Sequence, residues 1–187
     1  MSAMTLFILP AMATETTARP EEESHPRPRP KGEPAAATKV REMIEDTLAY
    51  MLDRYVVDDF GSYVFGFDSA RVFVVPTWVE EGPSVIRVFA ITNMDVPVTG
   101  ALTSYLLEKN LEFVFGGFAL DAPRGAVWFN HNLLGEFTTP EAFEATVAAV
   151  AETANEYDDA ICERFGGRLY TEDTARPVPT PATPGYL

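Results

Sequence analysis

Few residues in this chain have side chains suited to chemistry. Cys162 is its only cysteine, and His25 and His131 are its only histidines. A Cys162–His131 pair would be the minimum for acyl transfer, because a thiol needs a neighbouring base to act as a nucleophile. Cys162, however, falls in an alanine-rich helical stretch, where a small buried hydrophobe is its commoner role. His25 lies among prolines. Asp58-Asp59 and Asp158-Asp159 bring carboxylates for acid–base work or calcium, but adjacent helical residues do not face one another and no D-x-D-x-D-G loop is present. They read as surface charge. Gly116-Gly117 fits neither phosphate-binding glycine pattern and marks a β-bulge or a close backbone approach. H-E-x-x-H, G-x-S-x-G and C-x-x-C are all missing from the sequence. The expectation is a protein that is not an enzyme, with no catalytic residue, metal or cofactor.

Composition narrows the partners. The 187 residues carry 14 Lys and Arg against 28 Asp and Glu, a net charge of −14. Nucleic acid and anionic lipid both call for a basic surface, so neither is expected as a partner. A hydrophobic fraction of 47% with 12% aromatics supplies a core. One cysteine excludes an internal disulfide framework, and no apolar run reaches the roughly 20 residues that span a bilayer. Leu6-Phe7-Ile8-Leu9 has no basic residue before it and is broken by Pro10, so it does not read as a secretory leader. The expected location is the cytoplasm.

Proline divides the chain. Residues 1–37 and 173–187 are proline-rich, lack apolar periodicity and are expected to be disordered tails flanking a domain at 38–172. Within the domain, Val40, Met43, Ile44, Thr47, Leu48, Met51, Leu52 and Tyr55 recur at helical spacing behind Thr38 as N-cap. Strands are predicted at Tyr63–Phe67, Arg71–Val75 and Val85–Ile91, joined by turn residues. A short helix follows over Val98–Lys109, with Asn110 as its C-cap. Strands at Glu112–Leu120 and Ala126–Leu133 come next. The last helix has Thr139 as N-cap and Pro140 at its first position, and stops at Gly166-Gly167. The order α-βββ-α-ββ-α indicates an α+β fold with an antiparallel sheet.

Strand alternation leaves both faces of this sheet apolar. Tyr63, Phe65 and Phe67 oppose Val64, Val72 and Val74 oppose Phe73 and Val75, and Phe89 and Ile91 oppose Ile86 and Val88. A half-solvated antiparallel sheet normally shows polar residues outward, so leftover apolar surface points to a partner. The last helix carries a heptad-like seam of Phe143, Val147, Val150, Ala154, Tyr157 and Ile161. Its other side, Glu141, Glu144, Glu152, Glu156, Asp158, Asp159 and Glu163, reads as an acidic solvated face.

Three phrases carry a family resemblance over about residues 40–170. They are Tyr105-Leu106-Leu107-Glu108-Lys109-Asn110, Phe115-Gly116-Gly117-Phe118-Ala119-Leu120-Asp121, and the close of the last helix, Asn155-Glu156-Tyr157-Asp158-Asp159 with Arg164-Phe165-Gly166-Gly167. With the element order, they resemble the YbjN-like family and the class I, CesT-type, type III secretion chaperones. The resemblance implies a small acidic homodimer that holds an extended segment of a client protein. Client contact is expected at Phe65, Phe67, Phe73 and Val75, and a dimer interface at Leu102, Tyr105 and Leu106. The alternative is a dimeric regulatory or scaffold module acting through its proline-rich tail.

Overall fold

The computed structural model describes residues 33–78 and 82–170. Of the tails expected at 1–37 and 173–187, residues 1–32 and 173–187 lie outside the described residues, whereas Ala35, Ala36 and Ala37 are helical rather than part of a tail.

The first helix, α1 (Ala35–Met51), begins before Thr38. Pro34 is extended and occupies the cap position, and its carbonyl accepts from both the Thr38 N–H (3.0 Å) and the Thr38 hydroxyl (3.3 Å). Ala35-Ala36-Ala37 are strong helix formers and add the extra turn, which corrects Thr38 from cap to first-turn residue. Val40, Ile44 and Leu48 face inward at four-residue spacing. Leu52 and Tyr55 lie past the helix end but still pack on the core.

Two-residue β1 (Val56–Val57) then pairs with β2 (Tyr63–Phe67), which turns at Asp68-Ser69 into β3 (Ala70–Thr77). β4 (Val85–Met94) pairs with β3. After α2 (Gly100–Asn110) the strand expected from Glu112 starts only at Gly117, as β5 (Gly117–Asp121). The Leu111 and Glu112 N–H groups bond back to the Glu108 and Lys109 carbonyls, so the helix end runs on into a turn. Gly116 ends that turn at φ +72°, and a Cβ there would lie 2.8 Å from the Asn130 carbonyl. The predicted close approach is therefore found there, and the bulge lies elsewhere, in β4 between Ile91 and Asn93.

β6 (Ala126–Leu134) runs between β4 and β5, giving the antiparallel order β1-β2-β3-β4-β6-β5. Helix α3 (Pro140–Phe165) opens with Thr139 accepting from the Ala142 N–H, as its sequence indicates. A short β7 (Arg168–Leu169) then returns to pair with the end of β4.

All three helices pack on one face. Val72, Val74, Ile86, Val88, Val127 and Phe129 meet α3's Phe143, Val147, Val150, Ala154 and Ile161 in one core, which α1 and α2 join. Each buried Val, Ile or Phe among them contributes about 1.5–3 kcal/mol on burial. Asp158, expected on the solvated side of α3, is instead buried at 2% exposure. It follows Ala154 by four positions and precedes Ile161 by three, so it shares their face. The Ser69 hydroxyl lies 2.5 Å from its carboxylate and 2.7 Å from the Asn155 amide oxygen. Asn93, turned inward at the bulge, donates to the Asp158 carbonyl at 2.7 Å. Burial raises the Asp158 pKa, although hydrogen bonds from Ser69 and Asp159 oppose it.

Candidate functional site: the aromatic sheet face

On the other side of the central strands, register alone brings aromatic rings together. Phe73 of β3 stands opposite Phe89 of β4, and Trp128 of β6 stands opposite Ile91. Phe73 and Phe89 stack at 5.0 Å with planes 7° apart, and Phe89 and Trp128 at 4.9 Å and 29°. Offset stacks of this kind add about 0.5–1.5 kcal/mol beyond buried area. Tyr170 reaches the same row because β7 extends the pairing on β4. Its N–H donates to the Thr92 carbonyl (3.2 Å) and its ring lies 6.3 Å from Phe73. Val75 and Met94 border the cluster, and none of its members among the described residues belongs to a helix.

Arginines lie beside the rings, and the register adds Asn130 opposite Phe89 and Asn132 opposite Arg87. The Arg71 guanidinium lies 5.9 Å from the Phe73 ring centre, and that of Arg87 5.5 Å from Phe89. Burial raises the Tyr170 pKa, with Arg71 opposing the shift. The Trp128 indole Nε1 is buried with no hydrogen-bond partner among the described residues. A row of flat rings edged by cations and an unused N–H suits an extended chain that offers carbonyls and carboxylates.

Two of the four residues expected to touch a client are on this face, Phe73 and Val75. Phe65 and Phe67 are not. The two-residue turn at Asp68-Ser69 pairs Phe65 with Val72, which puts it in the helix-covered core at 6% exposure, with Phe67 packed against that core. Phe89, Trp128, Tyr170, Arg71 and Arg87 were missed. Carrying the hairpin register across to the third strand would have found Phe89 and Arg87.

The helix expected to dimerise also divides. Leu102 and Leu106 are buried in the core, and Tyr105 is half-buried against Phe165 beneath the Arg164 guanidinium. Exposed apolar surface lies instead at Leu107 (62%), Leu111 (88%), Val114 (89%) and Phe115 (57%). Leu107 and Leu111 form a second i, i+4 pair, turned away from Leu102 and Leu106. Asn110 does not cap α2, since Leu111 takes that position. Its side-chain amide accepts from the Phe118 N–H (2.6 Å) and donates to the Phe118 carbonyl (3.1 Å). At that residue it fills the β5 edge as a neighbouring strand would.

The groups suited to chemistry do not converge. His131 pairs with Val88 and accepts from the Gly116 N–H through Nδ1. Cys162 contacts the Gly167 carbonyl near the Met94 end of β4. Six strand residues, about 20 Å, separate those places. Asp58 accepts from the Phe60 and Ser62 N–H groups and closes a turn. Among the described residues no group of three His, Cys, Asp or Glu is placed to hold a metal, and no helix is long and apolar enough to cross a membrane.

Three helices thus back the sheet on one side, and the aromatic row lies on the other. Two solved structures share the fold. One is the HopA1–SchA chaperone–effector complex, at 13% identity and TM-score 0.53, covering 68% of this chain and 98% of that one. The other is the ExsC–ExsE complex, at 21% identity and TM-score 0.51, covering 67% and 95%. No curated protein sequence matches. The chain belongs to the family described as T3SS (YopN, CesT) and YbjN peptide-binding chaperone 1, whose model matches residues 38–173.

Proposed function

We propose that this chain is a cytoplasmic, non-catalytic chaperone that holds an extended segment of a client protein across the aromatic sheet face. The observation that carries the reading is the Phe73–Phe89–Trp128 row, in a cluster with no helix residue among its described members. A client strand would set alternate side chains on these rings, leaving its backbone carbonyls and acidic groups to Trp128, Arg71 and Arg87. Strand addition at the β5 edge is the weaker route, because Asn110 already occupies Phe118 there. The acidic remainder of the molecule keeps the complex soluble and steers basic flanks of a client toward it. We further propose a homodimer through Leu107, Leu111, Val114 and Phe115, beside the Leu102–Tyr105–Leu106 face that anchors α2 to the core.

A random-peptide display library panned on the immobilised full chain tests the face. Enriched peptides should lose binding to Phe73→Asp while the thermal transition of that variant persists. Undiminished binding to a folded Phe73→Asp chain would exclude this face as the client site.

A further inference from the structure

The aromatic face has a nearer candidate occupant than any client. The described chain ends on it: Tyr170, at 4% exposure, belongs to the cluster and packs on Phe73. Seventeen residues follow, opening Thr171-Glu172-Asp173 and continuing through Pro177, Pro179, Pro181 and Pro184 to Leu187. The first carboxylates therefore come two and three positions after Tyr170, whose hydroxyl already feels the Arg71 guanidinium. Glu172 and Asp173 are opposite in charge to Arg71, in a chain of net charge −14. The proline-rich part suits the rest of the face. Prolines have carbonyls but no N–H, whereas the face offers donors in Arg71, Arg87 and the unpartnered Trp128 Nε1. Proline-rich segments in extended form dock on aromatic-lined surfaces at low entropic cost. Reach is ample: at about 3.1 Å per residue the segment extends some 50 Å, against about 15 Å from β3 across to β5. The proline-rich N-terminal segment, by contrast, joins at α1, in the helix layer on the opposite side of the sheet.

We propose that residues 171–187 occupy the Phe73–Phe89–Trp128 face of their own chain, as an internal pseudo-client that an incoming segment must displace. This rests on the reading of that face as the client site. It makes client affinity a competition: the resident segment, tethered at Tyr170, holds a high effective concentration that only a better-matched segment overcomes.

The test uses the full chain carrying Trp78→Phe, which leaves Trp128 as its only tryptophan. Acrylamide quenching of Trp128 emission should rise several-fold when Glu172→Lys and Asp173→Lys are added, and again when Pro177, Pro179 and Pro181 become Ser. Adding Arg71→Glu and Arg87→Glu to the charge-reversed chain should restore protection. Display-selected peptides should bind the charge-reversed segment variant more tightly than the parent chain. Quenching that ignores every segment substitution overturns the inference, whether the face is open or is covered by residues 1–32. If selected peptides still bind in a Phe73-dependent way in that case, only the resident segment is lost. If they bind nowhere on this face, the client site falls with it.

Discussion

The two faces of the sheet come from the same strands and from similar apolar side chains, but they are finished differently. On the inner face aliphatic residues dominate, and α1, α2 and α3 close over them. On the outer face rings stack on one another and arginines lie along their margins, with no helix residue among the described members of the cluster. Val72 and Phe73 are chain neighbours, yet Val72 is fully buried and Phe73 only half so. Both surfaces hide from water; only one does so with groups that a peptide could also use. Aliphatic side chains and edge-on rings hold the inner face, while stacked rings and arginines mark the outer one.

This contrast can be broken by mutation. Phe129→Ala, on the inner face, should cost about 3–5 kcal/mol in denaturant unfolding, because the cavity lies under α3. Phe73→Ala, half-buried on the outer face, should cost only about 1–2 kcal/mol but abolish retention of selected peptides. Equal losses of stability at the two positions would mean that the outer face is simply a second core.

The polar latch between α3 and the β2–β3 turn gives a pH signature to the inner face. Burial raises the folded-state pKa of Asp158 above its unfolded value. Its protonated form therefore contributes stability fully below the ordinary aspartate range, and that contribution is lost as pH rises through the raised value. Asp158→Asn should be the more stable chain at neutral pH, with its advantage shrinking as the pH is lowered through the raised value toward that range. Melting the two chains across pH 3–8 checks the sign. The smallest stability effect belongs to the α2 patch: Leu107→Asp should change stability by no more than about 0.5 kcal/mol. It should nevertheless reduce the light-scattering mass from dimer to monomer.

Much of the scaffold could be read in the sequence because its signals are local. Thr139-Pro140 marked the start of α3, and Asp68-Ser69 marked the β2–β3 turn. What escaped depended on pairings between distant residues. β1 and β7 are two residues each and have no periodicity to detect. Phe113-Val114-Phe115 alternates like a strand, but only Phe113 reaches the core, and the chain is still turning after α2. For the candidate site, Phe73 and Val75 followed from alternation. Phe65 was placed with them because alternation was applied strand by strand, without the register that relates one strand to the next. Tyr170 could not be foreseen, since only the return of β7 to β4 brings it to Phe73.

Asn110 has a consequence for how many chains this sheet can join. In an antiparallel edge strand alternate residues direct their backbone groups outward, so in five-residue β5 few such positions exist. By occupying both groups of Phe118, one amide leaves no continuous run there on which another strand could template. The sheet is thereby terminated on that side. A protein that collects extended polypeptide on one side and could also extend its sheet on another would act as a linker and seed polymers. With Phe118 stoppered, strand addition past β5 has no continuous ladder on which to start.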